Sequence, residues 1–99
     1  IDVHHKHKKD APSGTALAMA KVLNTANPKG GMHADIVSLR LGESIGEHQI
    51  LFALKDESLN ITHTVHDRQV FAEGALKAAQ WLFRVQKPGL YTMQNVLEV

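Results

Sequence analysis

His4-His5-Lys6-His7-Lys8-Lys9-Asp10-Ala11-Pro12-Ser13-Gly14-Thr15 is the stretch on which both the fold and the chemistry of this chain turn. Three histidines and three lysines run from His4 to Lys9, and a Pro-Ser-Gly-Thr turn follows almost at once. Upstream, Ile1 to about His7 reads as a strand. Downstream, Ala16, Met19, Ala20 and Leu23 keep the i, i+3, i+4, i+7 spacing of one helix face. The stretch is therefore a strand–turn–helix junction. Ser13 and Thr15 are both candidate N-caps, because a hydroxyl there accepts one of the orphan N–H groups of the first turn.

Working outward, Asn24 to Gly31 contains Pro28, Gly30 and Gly31 and reads as a loop. Three strands follow. Val37, Leu39 and Leu41 alternate with Ile36, Ser38 and Arg40. His48, Ile50, Phe52 and Leu54 alternate with Gln49, Leu51 and Ala53. Leu59, Ile61, His63 and Val65 alternate with Asn60, Thr62 and Thr64. Gly42 to Gly46 and Lys55 to Ser58 supply the turns, so these three read as an antiparallel meander with one strongly apolar face. The opposite face, with Gln49, Leu51 and Ala53 beside Asn60, Thr62 and Thr64, carries little charge, which suits cover by another subunit. A second helix is predicted from about Val70 to Val85, with Phe71, Ala75, Ala78, Leu82 and Val85 along one side. Lys87-Pro88-Gly89 ends it, and Leu90, Met93, Val96 and Leu97 in the tail are available to pack. The expected class is a two-layer α+β fold with a mixed, mostly antiparallel sheet of about four strands and two main helices.

The 99 residues suit one domain, residues 1–99. Net charge is +1, so no overall field selects nucleic acid or a membrane surface. Cysteine is absent, which excludes disulfides and thiolate chemistry and favours a cytoplasmic location. No apolar run approaches the roughly 20 residues that span a bilayer, and no signal-peptide pattern is present. The chain begins at Ile1, in what already reads as a strand leading into a site. It therefore reads as a piece of a longer protein.

The chemistry of the opening stretch follows from its composition. Lysines and free N–H groups at a helix start attract a small anion. Histidines add proton transfer near neutral pH. In a continuous strand His4, Lys6 and Lys8 would share one side, with His4 and Lys8 about 13 Å apart. They converge on one small ligand only if the strand ends near Lys6 and the chain curls back, as Asp10 and Pro12 encourage. The plain alternative is a set of solvated lysines and packing histidines, but closely spaced like charges disfavour one another unless an anion compensates. A metal site is the next rival, since His4, His5, His7, His33, His48, His63 and His66 supply many imidazoles. The adjacent lysines repel a cation, so no metal is expected. A nucleic-acid surface is poorly served by a short basic run with few aromatics. Arg68 is placed at the end of the third meander strand, on a face with Thr62, Thr64 and His66. From there it can grip a carboxylate with two parallel hydrogen bonds, or simply pair with Asp67.

The opening motif closely resembles the signature of the dihydrodipicolinate reductase family. The resemblance continues through Ser38-Leu39-Arg40, Gly46-Glu47-His48, Ile61-Thr62-His63, Arg68, Phe71 to Ala75, Trp81-Leu82, Pro88 to Tyr91 and Val96-Leu97, essentially the whole chain. It implies an NAD(P)H-dependent oxidoreductase of the lysine and diaminopimelate route, 4-hydroxy-tetrahydrodipicolinate reductase. This chain resembles its C-terminal domain, which holds the substrate and forms a homotetramer through its sheet. By the same resemblance His4 and Lys8 are the catalytic candidates. His5, Ser13, Gly14, Thr15 and Arg68 are the substrate-binding candidates, with Ser13, Gly14 and Thr15 on one ring carboxylate of a cyclic dicarboxylate. NADH or NADPH is the implied cofactor, held mainly by a Rossmann domain. No G-x-G-x-x-G follows a strand here, so no cofactor residue is assigned, and the chain alone is expected to be inactive. The segment between the first helix and the Val37 strand is shorter than the glycine-rich loop of many relatives. A non-catalytic dicarboxylate-binding or assembly domain is the alternative reading of the same motif.

Overall fold

The opening strand is interrupted sooner than its alternation suggests, because a glycine turn from elsewhere in the chain captures it. The backbone N–H of Lys6 donates to the carbonyl of Gly42 at 3.1 Å, and that of Lys8 to His5 at 3.1 Å. Strand β1 is therefore only Asp2–His4. Gly42 sits at φ +53°, a conformation that glycine adopts without a side-chain penalty. The structure, a computed structural model, describes residues 1–27, 29–30 and 33–98. It divides into two compact units, Ile1–His66 and Asp67–Val99.

In the first unit β1 leads through a curled segment into helix α1, Gly14–Ala26. Ser13 is its N-cap: the backbone is extended there, and the side chain accepts from the N–H of Ala16 at 3.2 Å. Thr15, the other candidate cap, lies inside the first turn. The helix runs on through Asn24, Thr25 and Ala26, three residues that read as loop. Thr25 donates its hydroxyl to the carbonyl of Lys21 at 2.7 Å, so its polar group is satisfied within the helix. Of the predicted loop, Pro28 and Gly31 lie outside the described residues.

Three further strands complete the sheet: β2 Ser38–Arg40, β3 Gly46–Ala53 and β4 Ser58–Val65. Their order is β2-β1-β3-β4. The expected meander is corrected here. β3 and β4 do form an antiparallel hairpin, with His48 opposite His63 and Ile50 opposite Ile61. β2, however, does not neighbour β3. It pairs in parallel with β1, Asp2 opposite Ser38 and His4 opposite Arg40, and β1 pairs antiparallel with β3. The chain thus makes a β1-α1-β2 crossover, as a parallel pair requires, and the resulting sheet is mixed and mostly antiparallel. Alternation reveals which residues share a face but not which strand lies beside which.

Register places Asp2, His4, Ser38, Arg40, His48 and Ile50 on one face. Helix α1 lies over this face, with Ala16, Met19, Ala20 and Leu23 lining a cleft with His48 and Ile50. Among the described residues the buried apolar side chains are Ala16 and Val65, and the buried polar ones are Asp2 and Ser13. The interior of this unit is thus as polar as it is apolar. On the opposite face, Leu39 and Leu51 are 42% and 53% exposed.

The second unit holds α2, Gln69–Arg84, and α3, Met93–Val96. The predicted helix bounds hold to within a residue, but the packed stripe is shifted. Gly74, Ala78, Trp81 and Val85 are half-buried, whereas Phe71, Ala75 and Leu82 are exposed. Trp81 selects the stripe by meeting the ring of Tyr91 edge-on at 5.2 Å. Thr92 and Asn95 close a capping box at the start of α3.

Ser13→Ala is expected to lower stability by about 1–2 kcal/mol through loss of the cap, and Ser13→Thr to retain most of it. Urea unfolding followed by circular dichroism measures both.

Candidate functional site: a buried carboxylate between two histidines and a helix start

Asp2 is wholly buried and makes four hydrogen bonds. Its Oδ1 accepts from His4 Nδ1 at 2.8 Å and from Arg40 Nη1 at 2.8 Å. Its Oδ2 accepts from the backbone N–H of Ser13 at 3.0 Å and from the Ser38 hydroxyl at 2.7 Å. The short β1 strand makes this possible: it sets Asp2 directly beside Ser38 and two residues before His4 on the same face. Burial by itself pushes the Asp2 carboxyl upward. The donors from Ser13, Ser38, Arg40 and His4 outweigh it and hold the group well below the usual carboxylate range.

The carboxylate also sets the state of His4. An ionised carboxylate only accepts, so the Nδ1 of His4 carries the proton and Nε2 is the atom left for chemistry. The His4 side chain is only 12% exposed. A Cβ at Gly46 would come within 3.3 Å of His4 Nε2, so glycine at that position makes room for the ring. His48 stands edge-on to His4 with ring centroids 5.1 Å apart. Its Nε2 shares a hydrogen bond with Ser13 Oγ at 3.0 Å. Burial, and then the nearby His4, push the His48 imidazole below its ordinary value, so His48 favours the neutral form.

The predicted site residues are distributed as follows. His4 and Ser13 are brought together, through the two oxygens of Asp2. Gly14 and Thr15 are exposed in the first turn of α1, and nothing within 4 Å would meet a Cβ built on Gly14. Both residues of this turn are thus accessible to solvent. His5 lies in the curled segment with its ring 6.2 Å from that of His7. Lys8 pairs with Asp10 at 2.9 Å, a contact that holds the Asp10 carboxyl below its usual range. The strand ends at His4, before Lys6, and the chain turns at His5–Lys8.

Arg68 is corrected in its local setting. β4 ends at Val65, and Arg68 has helical backbone as the residue that opens α2 in the second unit. It does not continue the alternation of Thr62, Thr64 and His66. Asp67 accepts from the N–H of Gln69 at 2.8 Å, which commits this segment to a helix start.

Asp2, Ser38, Arg40 and His48 were not singled out as site residues from the sequence. Ser38-Leu39-Arg40 and Gly46-Glu47-His48 carried the family resemblance, but their side chains converge only through strand pairing. Arg40 reaches three ways: Nη1 donates to Asp2 and to the carbonyl of Leu39 at 2.8 Å, and Nη2 to the carbonyl of Asp10 at 2.6 Å. It thereby links the buried carboxylate to the segment that bears Lys8. Asp2, His4 and His48 present ligand atoms within 4.8 Å of one another, a spacing that a metal ion could use. In this structure those groups are instead committed to hydrogen bonds, and the Arg40 guanidinium on Asp2 opposes a cation.

The fold and site define an α+β domain with a parallel β1-α1-β2 crossover, in which two imidazoles lie near a buried carboxylate at a helix start. Residues 1–97 match the family described as dihydrodipicolinate reductase, C-terminus. The chain belongs to that family. It is 42% identical over 113 residues to the 4-hydroxy-tetrahydrodipicolinate reductase of Methanosarcina barkeri, covering 98% of this chain and 41% of that protein. The reductase of the same name from Archaeoglobus fulgidus is 36% identical over 114 residues, covering 99% of this chain and 44% of that protein. The chain thus spans less than half the length of these relatives. Among solved structures, dipicolinate-bound dihydrodipicolinate reductase from Paenisporosarcina sp. TG-14 superposes with a TM-score of 0.72. That match is 24% identical and covers 95% of this chain and 42% of that one, a likeness of fold.

Two acid transitions in stability are expected. His48 has a folded-state value below its unfolded one, so its contribution is full above about pH 6.5 and declines as pH falls. Asp2 likewise stabilises above about pH 4 and loses that contribution in stronger acid. Urea midpoints measured from pH 7.5 to 3 should fall in both windows, and His48→Asn should remove the first fall while leaving the second.

Proposed function

We propose that this chain is the substrate-binding domain of a 4-hydroxy-tetrahydrodipicolinate reductase, in which His4 delivers a proton while α1 holds a carboxylate of a cyclic dicarboxylate. The family match over residues 1–97 carries this reading. The geometry is consistent with these roles. Gly14 and Thr15 are exposed in the first turn of α1, where helix-start N–H groups and the positive end of the helix dipole suit a ring carboxylate. Ser13 caps the helix and fixes that turn. His4, joined to the same turn through Asp2, presents Nε2 as the acid. Lys8 is the second acid and leaves Asp10 to act, and His5 is a further substrate contact. A ring bearing two carboxylates suits several cations and oriented N–H groups.

The residues of this chain do not fit a dinucleotide. Its strand–turn–helix junction holds one glycine, Gly14, where a pyrophosphate cradle needs several, and it is anchored by a buried carboxylate. NADH or NADPH, the hydride source of such a reductase, is therefore assigned to the part of the relatives that this chain does not span. What this chain contributes is position, charge and the proton. The cytoplasm is the expected location.

A homotetramer formed through the sheet is part of the same proposal. The face opposite α1 carries Leu39 and Leu51 exposed, and its polar residues are mostly uncharged; Glu47 is satisfied by Thr64 at 2.8 Å. Such a face favours burial against a partner.

His4→Ala in the full-length reductase is expected to lower kcat by about 10²–10⁴ with substrate KM changed far less. Steady-state kinetics decide between this and the assembly-domain alternative, which predicts unchanged turnover. Leu51→Lys is expected to shift the assembly toward smaller species in sedimentation velocity while leaving the circular dichroism spectrum intact; an unchanged sedimentation coefficient counts against the sheet interface.

A further inference from the structure

We infer that Asp2, clamped by Arg40 and Ser38, is a positioning residue that fixes both the tautomer of His4 and its placement relative to the start of α1. This rests on the proposed role of His4 as the proton donor, and it names the group that makes His4 fit for that role.

The argument starts from the number and kind of donors. Three of the four groups on Asp2 are obligate donors in their present placement: the Ser13 N–H, the Arg40 guanidinium and the Nδ1 of His4 in the tautomer that meets a carboxylate. Only Ser38 can turn its hydroxyl to accept. The oxygens divide these donors by function. Oδ1 holds the proton-donating ring, and Oδ2 holds the residue that caps the helix. A single planar group thus fixes the separation between the acid and the site of the anion. Such registration matters because the rate of proton transfer depends on sub-ångström placement. The carboxylate also keeps the proton on Nδ1, which leaves Nε2 as the nitrogen that exchanges a proton with the substrate.

Arg40 and Ser38 keep the carboxylate from turning. Arg40 spans from Asp2 to the carbonyl of Asp10, so the same guanidinium holds the segment on which Lys8 sits. The Arg40 side chain is 16% exposed; its contact with Asp2 is part-buried, and its contact with Asp10 lies at the surface. A lysine there, a point charge without the planar fork, cannot make both contacts in this geometry.

Asparagine at position 2 separates shape from charge. Its amide is isosteric, but its NH₂ must face one of the two donor pairs. On one side it meets the Ser13 N–H, and on the other the Arg40 guanidinium, so a repulsive contact arises either way. Relief on the Oδ1 side requires His4 to shift its proton to Nε2.

The test has two arms. In the first, the wild-type chain is labelled with ¹⁵N-histidine, and His4 is assigned by comparison with His4→Gln. The spectrum at alkaline pH is expected to show the Nδ1–H tautomer for His4, and an Nε2–H tautomer overturns the inference whether or not the chain serves a reductase. In the second, the full-length enzyme carrying Asp2→Asn is expected to lose at least tenfold in kcat with substrate KM within threefold, and Asp2→Glu to recover much of the loss. Wild-type kcat in Asp2→Asn, alongside a strong loss in His4→Ala, overturns the positioning role and leaves the reductase reading standing. Wild-type kcat in His4→Ala overturns the reading of His4 itself. Should Asp2→Asn not fold, Arg40→Lys and Ser38→Ala leave the carboxylate in place. Each is expected to lower kcat severalfold, and wild-type kcat in both sinks the inference.

Discussion

The arrangement of the first unit depends on one buried negative charge. Taking a carboxylate out of water carries a penalty of several kcal/mol unless donors replace the lost hydration. Asp2 satisfies that demand with four of them, drawn from β1, β2 and the first residue before α1. A pleated strand, a parallel neighbour and a helix start are therefore held in mutual register by one side chain. The apolar interior of the unit is small, with Ala16 and Val65 its buried members among the described residues. Directional hydrogen bonds carry specificity that a larger apolar core would otherwise supply.

The same constraint explains why the histidines differ although their sequence settings are alike. His4 and His5 are adjacent, yet alternation along β1 turns His4 toward Asp2 and leaves His5 at the strand end. His48 arrives from β3, across the sheet, and is drawn toward the neutral form by burial beside His4. Two imidazoles 5.1 Å apart, one on a carboxylate and one on a serine hydroxyl, are thereby given different chemistry.

Much of this was legible from local signals. Pro12-Ser13-Gly14-Thr15 marked a helix start, and Ser13 is the cap. The β3–β4 hairpin followed from period-two alternation on either side of a polar turn. The second helix lies within a residue of its expected bounds at each end. What failed did so where a distant partner decides. Within Ile36 to Leu41 only Ser38–Arg40 is strand, and its neighbour is β1 and not β3, a choice made by α1 crossing over the sheet. The stripe on α2 moved because Trp81 finds Tyr91 beyond the Pro88-Gly89 turn. Arg68 was extrapolated along a strand that Val65 already ends.

By itself the sequence determined the local vocabulary: a basic, histidine-rich junction leading to a capped helix, a hairpin, a second helix, and a family signature spread over nearly the whole chain. Those properties reside in near neighbours, whose interactions are set by backbone geometry and short-range periodicity. Only the tertiary structure decided that Asp2, an unremarked residue two positions before the cluster, lies at its centre. Ser38, Arg40 and His48 reach Asp2 and Ser13 from 35 to 38 positions away. Strand order and the burial of a charge cannot be read from spacing, because they depend on which segments come to share the water-free side of the sheet.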